Sequence, residues 1–174
     1  DKALEQAIEL KKKLSFPEAI ICGKIDLVKD YLQKYKAEEI NDLSPDGYPP
    51  LCLAALFNQT EIAKLLIKHK ANVTLIARNV SRVTALQSAV AKENQELCSL
   101  LLEAGANPNV PQIQNATALH SAVHRGNLAL TKLLIEHGAF TTIEMNTGET
   151  AMSIAESKGN QEIKDYLMGL QATE

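Results

Sequence analysis

The chain has 174 residues, of which 45% are hydrophobic and 22% are charged. These proportions lie near the average for globular proteins and allow a continuous core. The formal net charge of -3 gives no general electrostatic attraction to nucleic acid. No apolar run approaches the roughly 20 residues of a membrane span. We therefore expect neither nucleic-acid binding nor an integral membrane segment.

The first stretch of the chain, residues 1–14, mixes apolar and charged side chains. Its apolar residues recur at helical spacing, which predicts an amphipathic capping helix laid over the helices that follow. Ser15 and Glu18, with Pro17 between them, form a capping-box pattern. A new helix is therefore expected to begin just after Ser15.

The remainder of the chain is built on an internal repeat. Alanine recurs at intervals of 35, 35, 33 and 33 residues, and an apolar residue precedes each alanine by three positions. Further apolar columns follow each alanine by eight, twelve and thirteen positions. A period of this length is typical of a solenoid, in which stacked copies of one unit share a core. The repeated alanines are Ala19, Ala54, Ala89, Ala122 and Ala155.

Each unit has the apolar spacing of two short helices. In the fourth unit, apolar residues fall at i, i+3 and i+4 in two runs, 119–123 and 130–134. Gly126 and Asn127 separate the runs, and asparagine is a favoured N-cap for the second helix. That helix is expected to end at Gly138, where a left-handed residue carries no Cβ penalty. The alanine column marks where the two helices approach closely, because only a small side chain fits there.

The fourth unit also carries a family resemblance. Residues 117–122 (Thr-Ala-Leu-His-Ser-Ala), then Gly126, then residues 133–139 (Leu-Leu-Ile-Glu-His-Gly-Ala), resemble one ankyrin repeat. The family pattern is Thr-Pro-Leu-His-x-Ala, a Gly, and Leu-Leu-x-x-Gly-Ala. Residues 84–89 with 105–107 are similar, 49–54 and 150–155 are looser copies, and 15–36 keep only the helical frame.

The resemblance implies an all-α solenoid of about five stacked helix-turn-helix ankyrin repeats. Hairpin-like loops, here called fingers, would join the repeats, and an extra helix would precede them. The implied boundaries are a capping helix at 1–14, repeats at about 15–46, 47–81, 82–114, 115–147 and 148–169, and a tail at 170–174.

Two departures from the pattern have structural consequences. Lys70 stands where Gly105 and Gly138 stand in later repeats, so that helix end either strains a lysine or finishes differently. From the end of a second helix to the start of the next repeat motif, the distance is 14 residues at 35–49 and 70–84. It is 12 residues at 105–117 and 138–150. We expect both insertions in the fingers, so the N-terminal half should carry the longer ones.

No pattern in the chain indicates catalysis. Cys22, Cys52 and Cys98 lack C-x-x-C spacing, which predicts free thiols in a reducing compartment, with a disulfide or redox role as the alternative. Cys22 is expected to be exposed. His120 fills the histidine position of the repeat motif and is expected to hydrogen-bond loop backbone. With no metal-ligand spacing and no phosphate-binding loop, we expect no enzyme, no cofactor and no metal.

The resemblance places partner binding on a concave face formed by the fingers and the first helices. The second and third residues after each repeated alanine form two columns. The column of third residues is apolar in the first two repeats and basic in the last three. We predict a groove with an apolar N-terminal end and a cationic C-terminal end. The predicted partner-binding residues are Tyr48, Leu56, Phe57, Val80, Val83, Lys92, His124, Arg125 and Lys158.

The expected function is a scaffold, adaptor or inhibitor that holds a protein segment with an apolar anchor followed by acidic residues. Aromatic and Arg side chains often dominate such binding. A structural alternative is that Phe57 packs under a finger and the basic column is a solvated face. A functional alternative is a regulatory or accessory domain of an enzyme system, with a small molecule or metal on the fingers. We expect a cytoplasmic monomer, although the initial Asp1 suggests an excised piece and leaves an upstream targeting segment open.

Overall fold

The structure, a computed structural model, describes residues 14–36 and 39–171. This part of the chain is helical, with no β-strand beyond one isolated bridge between Ile76 and Thr84. Two single 3-10 turns lie at Glu39–Asn41 and Ile113–Asn115. The helices are α1 Phe16–Ile21, α2 Ile25–Lys34, α3 Pro50–Leu56, α4 Thr60–Lys68, α5 Ala85–Ala91, α6 Gln95–Glu103, α7 Ala118–His124, α8 Leu128–Glu136, α9 Ala151–Ser157 and α10 Gln161–Gln171.

These helices pack as consecutive pairs. In each pair the two helices contact each other, from α1 with α2 to α9 with α10. The first helices also contact one another along the array, and so do the second helices. The described chain is therefore a two-layer helical solenoid, as predicted. The repeat boundaries given above stay a prediction.

The two chain ends meet the predicted boundaries differently. The predicted capping helix at 1–14 lies outside the described residues except for Leu14, which is not helical. Its carbonyl oxygen accepts a 2.6 Å hydrogen bond from the Tyr31 hydroxyl. At the other end, α10 continues to Gln171, two residues into the stretch assigned to a tail.

The alanine column lies fully inside the solenoid. All five alanines have no exposed surface, and neither do the next residues in three repeats, Ala55, Val90 and Val123. In the fifth pair the equivalent residue is Glu156, which is exposed and lies 3.0 Å from Lys164. Within the described residues no repeat lies over Glu156, so its charged side chain reaches solvent.

A left-handed residue closes every turn between the two helices of a pair. In the last four pairs, the next residue joins its turn to the preceding pair through its side-chain amide. Asn94 caps α6 by accepting from Leu97 N at 2.9 Å, and its Nδ2 donates to Asn58 Oδ1 at 2.7 Å. Gln59 reaches the Ile21 carbonyl at 3.4 Å. Asn127 and Asn160 likewise donate to the preceding pair. The left-handed residues are Gly23, Asn58, Glu93, Gly126 and Gly159.

The fingers differ in length in a way that corrects one prediction. In the finger before α5, Ala77 N donates to Val83 O, whereas the other closing bonds span four residues, as from Ser44 to Tyr48. The second insertion therefore does lengthen a finger. The first insertion does not, because it lies between Tyr35 and Ser44, around the 3-10 turn. The prediction of longer fingers throughout the N-terminal half is wrong for the first finger.

Four of the five first helices begin with reciprocal caps, and in the third and fourth pairs a cap side chain also secures the next finger. Thr117 N donates to His120 Nδ1 at 3.1 Å, so this nitrogen carries no proton and His120 is the neutral Nε2–H tautomer. His120 Nε2 then donates to the Ile143 carbonyl at 3.0 Å. Gln87 makes the same two contacts in the third pair, with Thr84 N and the Val110 carbonyl. The predicted structural role of His120 is confirmed.

Lys70 ends α4 in the left-handed region, with φ of +66°. We predict that Lys70→Gly raises the free energy of unfolding by about 0.5–1 kcal/mol, because glycine removes the Cβ strain.

Gly138, with φ of +85°, has open space where a Cβ would stand. Gly138→Ala should therefore lower stability by about 1 kcal/mol through backbone strain alone. Urea unfolding measures both, and a destabilised Lys70→Gly variant would contradict the interpretation.

His120 should make stability depend on pH. Burial lowers the pKa of His120, although hydrogen bonds to backbone oppose the shift, so the unfolded chain binds the proton first. The stabilising contribution is therefore complete above the unfolded-state pKa of about 6.5 and is lost as pH falls towards the lower folded-state pKa. Between pH 7.5 and 5.5, we predict that the wild type loses more stability than His120→Gln, by less than about 1.4 kcal/mol per pH unit.

The glutamine variant is a matched control because Gln87 makes both contacts without a titrating group. The other three histidines are common to both proteins and cancel in the comparison. Urea unfolding at several pH values measures the difference. Parallel pH profiles for the two proteins would show that His120 does not titrate in this range.

Candidate functional site

One side chain in each pair occupies the same exposed position at the end of the first helix. These residues are the C-caps of the first helices, and all five are exposed, as the spacing predicts. A helix C-terminus carries partial negative charge, which favours a basic residue there. The structural alternative for the basic residues therefore has a physical basis. The column consists of Cys22, Phe57, Lys92, Arg125 and Lys158.

An open groove of about 680 Å³ runs between α7 and α9, and we call it the α7/α9 groove. It brings together three predicted residues, His124, Arg125 and Lys158. Residues of both helices and of the finger between them line the groove. The predicted set lacked the other residues of the lining, which are Ala116, His120, Ser121, Met145, Glu149, Ile154 and Ser157.

Some of these residues could have been found from the repeat pattern. Ser157 occupies the same column as His124, so extending that column by one repeat identifies it. Glu149 belongs to a finger that the repeat pattern places at the groove, whereas the position of Met145 depends on how that finger closes. The structure closes it with a 2.8 Å bond from Met145 N to the Glu149 carbonyl.

The charges of the α7/α9 groove are separated along its length. Arg125 and Lys158 lie at the turn end, whereas Glu149 belongs to the finger. The Glu149 carboxylate accepts a 2.8 Å hydrogen bond from the Thr147 hydroxyl. Arg125 Nη1 lies 3.7 Å from Glu93 Oε1, and about half of each side chain is exposed. Lys158 has no ion pair within the described part of the chain.

The predicted apolar residues do not line the α7/α9 groove. Tyr48 is half-buried, and its hydroxyl lies 3.3 Å from Ser81 Oγ in the next finger. Leu56 and Val83 are also half-buried. Phe57 is 45% exposed at its helix end, and Val80 is 89% exposed at the tip of the long finger. These apolar residues and the basic residues are therefore parts of one array but not of one cavity.

Across residues 14–36 and 39–171, no group of three or more His, Cys, Asp or Glu side chains is placed to hold a metal ion. None of the helices in these two ranges combines the length and the apolar character needed to cross a membrane.

The three cysteines are free thiols, as predicted. Cys22 is exposed, whereas Cys52 and Cys98 are buried, and burial raises the pKa of each buried thiol to about 12. Cys52 Sγ also lies 3.8 Å from the carbonyls of Leu75 and Val83. Since the thiolate is the reactive form, burial and the raised pKa both suppress reaction.

We predict that one thiol per chain reacts rapidly with a maleimide or disulfide reagent in the native protein, and three in urea. Cys22→Ser should remove the fast reaction and leave the slow reaction of Cys52 and Cys98 unchanged. Counting modified thiols against time checks this prediction. Two or three fast thiols in the native protein would contradict the burial of Cys52 or Cys98.

The chain was also compared with models of known protein families. A model described as ankyrin repeats, in three copies, matches residues 18–112 and again residues 110–173. The two matches together cover nearly the whole chain, in agreement with the helix pairs, the buried alanine column and the Thr-x-x-His cap. The chain therefore belongs to the ankyrin-repeat family.

Proposed function

We propose that this protein is a non-enzymatic interaction module that holds a partner segment along its first helices and fingers. Ankyrin repeats are generally protein–protein interaction modules, and the family is typically non-catalytic. The observation that carries the finer proposal is the meeting of Arg125, Lys158 and His124 in the α7/α9 groove. The acidic residues of the partner would bind there.

The chemistry of the groove suits a carboxylate-bearing segment. Arg125 offers a planar fork of donors that matches a carboxylate, and Lys158 adds a second positive charge. The hydroxyls of Ser121 and Ser157 in the lining supply neutral hydrogen-bonding groups. The volume of about 680 Å³ is within the range of ligand sites and can receive a few side chains.

The apolar anchor of the partner would bind nearer the N-terminus of the array. Phe57 is the aromatic residue of the exposed C-cap column, two repeats before Arg125, and Lys92 stands between them. Val80 projects from the long finger, while Tyr48, Leu56 and Val83 are half-buried. A segment that runs along the column would meet apolar residues first and cations later, which supports the proposed order of anchor and acidic residues.

The same proposal includes a monomer in a reducing compartment such as the cytoplasm. Three free thiols support the compartment, because disulfides are rare in the reducing cytosol. The alternative of an enzyme-associated domain with a ligand on the fingers has no specific observation in its favour.

Charge reversal in the α7/α9 groove tests the proposal. We predict that Arg125→Glu combined with Lys158→Glu weakens partner binding by about tenfold or more, because two attractive contacts become repulsive. The partner is first identified by affinity capture from native lysate with mass spectrometry, and its affinity is then measured by titration. Urea unfolding of the variant shows whether the fold is retained.

The matched control is Lys34→Glu combined with Lys68→Glu. Both lysines are the last residues of second helices, so the change in net charge and in helix-end charge is the same outside the groove. The control should bind nearly as the wild type does. If both double variants weaken partner binding equally, the α7/α9 groove is not the binding site. Unchanged partner binding by the groove variant would reject the groove more directly.

A further inference from the structure

One turn of the array carries an unusual residue, Glu93. All five equivalent turn residues have positive φ, between +54° and +70°, and three of them are glycine. A glutamate pays a steric penalty in this region that glycine avoids, and Glu93 has φ of +54°. Because glycine suffices for this turn, the turn geometry does not account for the side chain of Glu93.

The Glu93 carboxylate points along the array to the next repeat. Its Oε2 accepts a 3.0 Å hydrogen bond from Asn127 Nδ2. Its Oε1 lies 3.7 Å from Nη1 of Arg125, which lines the α7/α9 groove. One oxygen of the Glu93 carboxylate is thus held by Asn127, and the other lies near the guanidinium of Arg125. The proposed function assigns that guanidinium to acidic groups of the ligand.

The contact between Glu93 and Arg125 is suited to exchange. At 3.7 Å it is longer than a charge-assisted hydrogen bond, and both side chains are about half exposed. Exposed ion pairs of this kind are weak, so an incoming carboxylate with better geometry can replace one. The Asn127 contact would hold Glu93 in place during the exchange.

We propose that Glu93 is a built-in competitor for the acidic group of the partner. In the free protein its carboxylate neutralises Arg125, and in the complex a carboxylate of the partner takes the guanidinium. This inference rests on the proposed function, because it concerns the same groove and the same class of partner. Glu93 thereby sets how strongly acidic a segment must be before it binds.

A second carboxylate gives the bound segment a direction. Glu149 lies at the finger end of the groove and repels acidic groups there. Arg125 and Lys158 lie at the turn end, so an acidic side chain of the partner is directed to that end. The rest of the segment faces the apolar residues of the lining, which are Ala116, Met145 and Ile154.

The test compares Glu93→Gln with Glu136→Gln, using hexaglutamate peptide as the probe. Glutamine keeps an oxygen that can accept from Asn127 but removes the charge. Glu136 is an exposed residue at the end of α8, so its variant changes the net charge equally outside the groove. At low salt we expect Glu93→Gln to bind the peptide about two- to five-fold more tightly than Glu136→Gln, the factor that an exposed ion pair provides.

A double-mutant comparison assigns the effect to Arg125. In an Arg125→Ala background, Glu93→Gln should bind no more tightly than Glu136→Gln. If the two glutamine variants bind hexaglutamate with equal affinity when Arg125 is present, the inference is overturned. This holds even if Arg125→Ala and Lys158→Ala both weaken binding of the peptide. If hexaglutamate shifts no NMR signal of the groove in the wild type, the proposed acidic recognition fails, and the inference fails with it.

Discussion

Close contact between successive first helices is the constraint on which the rest of the structure depends. Each first helix carries one alanine with no exposed surface, and the first helices contact both their paired second helices and one another. A larger side chain at this position would force the layers apart, since packed cores accommodate extra methylene groups poorly. The spacing of the C-cap residues, the turns and the fingers all follow from that stacking.

Polar side chains then connect the layers at both edges. On the turn edge, side-chain amides such as Asn94 and Asn127 cross to the preceding repeat. On the finger edge, Gln87 and His120 bond the carbonyls of the next finger. Each repeat is therefore held by its immediate neighbours, as expected for a solenoid. The α7/α9 groove inherits its shape from two such neighbours rather than from any single repeat.

The periodic features of this fold could be predicted from the sequence because they depend on local spacing. The buried alanines, the asparagine caps and the role of His120 all follow from residues within one repeat. The position of the first insertion could not be predicted, since it depends on which residues close the finger, and Ser44 and Tyr48 do so. The contact of Glu93 with Arg125 was also missed. It joins exposed residues of different repeats and has no counterpart in the repeat pattern.

The amide contacts on the turn edge all have the same direction along the chain. Gln59, Asn94, Asn127 and Asn160 each donate to an acceptor in the preceding repeat. Asn94 and Asn127 also cap their own second helices, so the preceding repeat helps to orient those caps. On this edge each repeat therefore supplies an acceptor for the amide of the repeat that follows it. Removing repeats from the C-terminus leaves every remaining cap with its acceptor in the preceding repeat. Removing repeats from the N-terminus takes that acceptor away from the first repeat that remains.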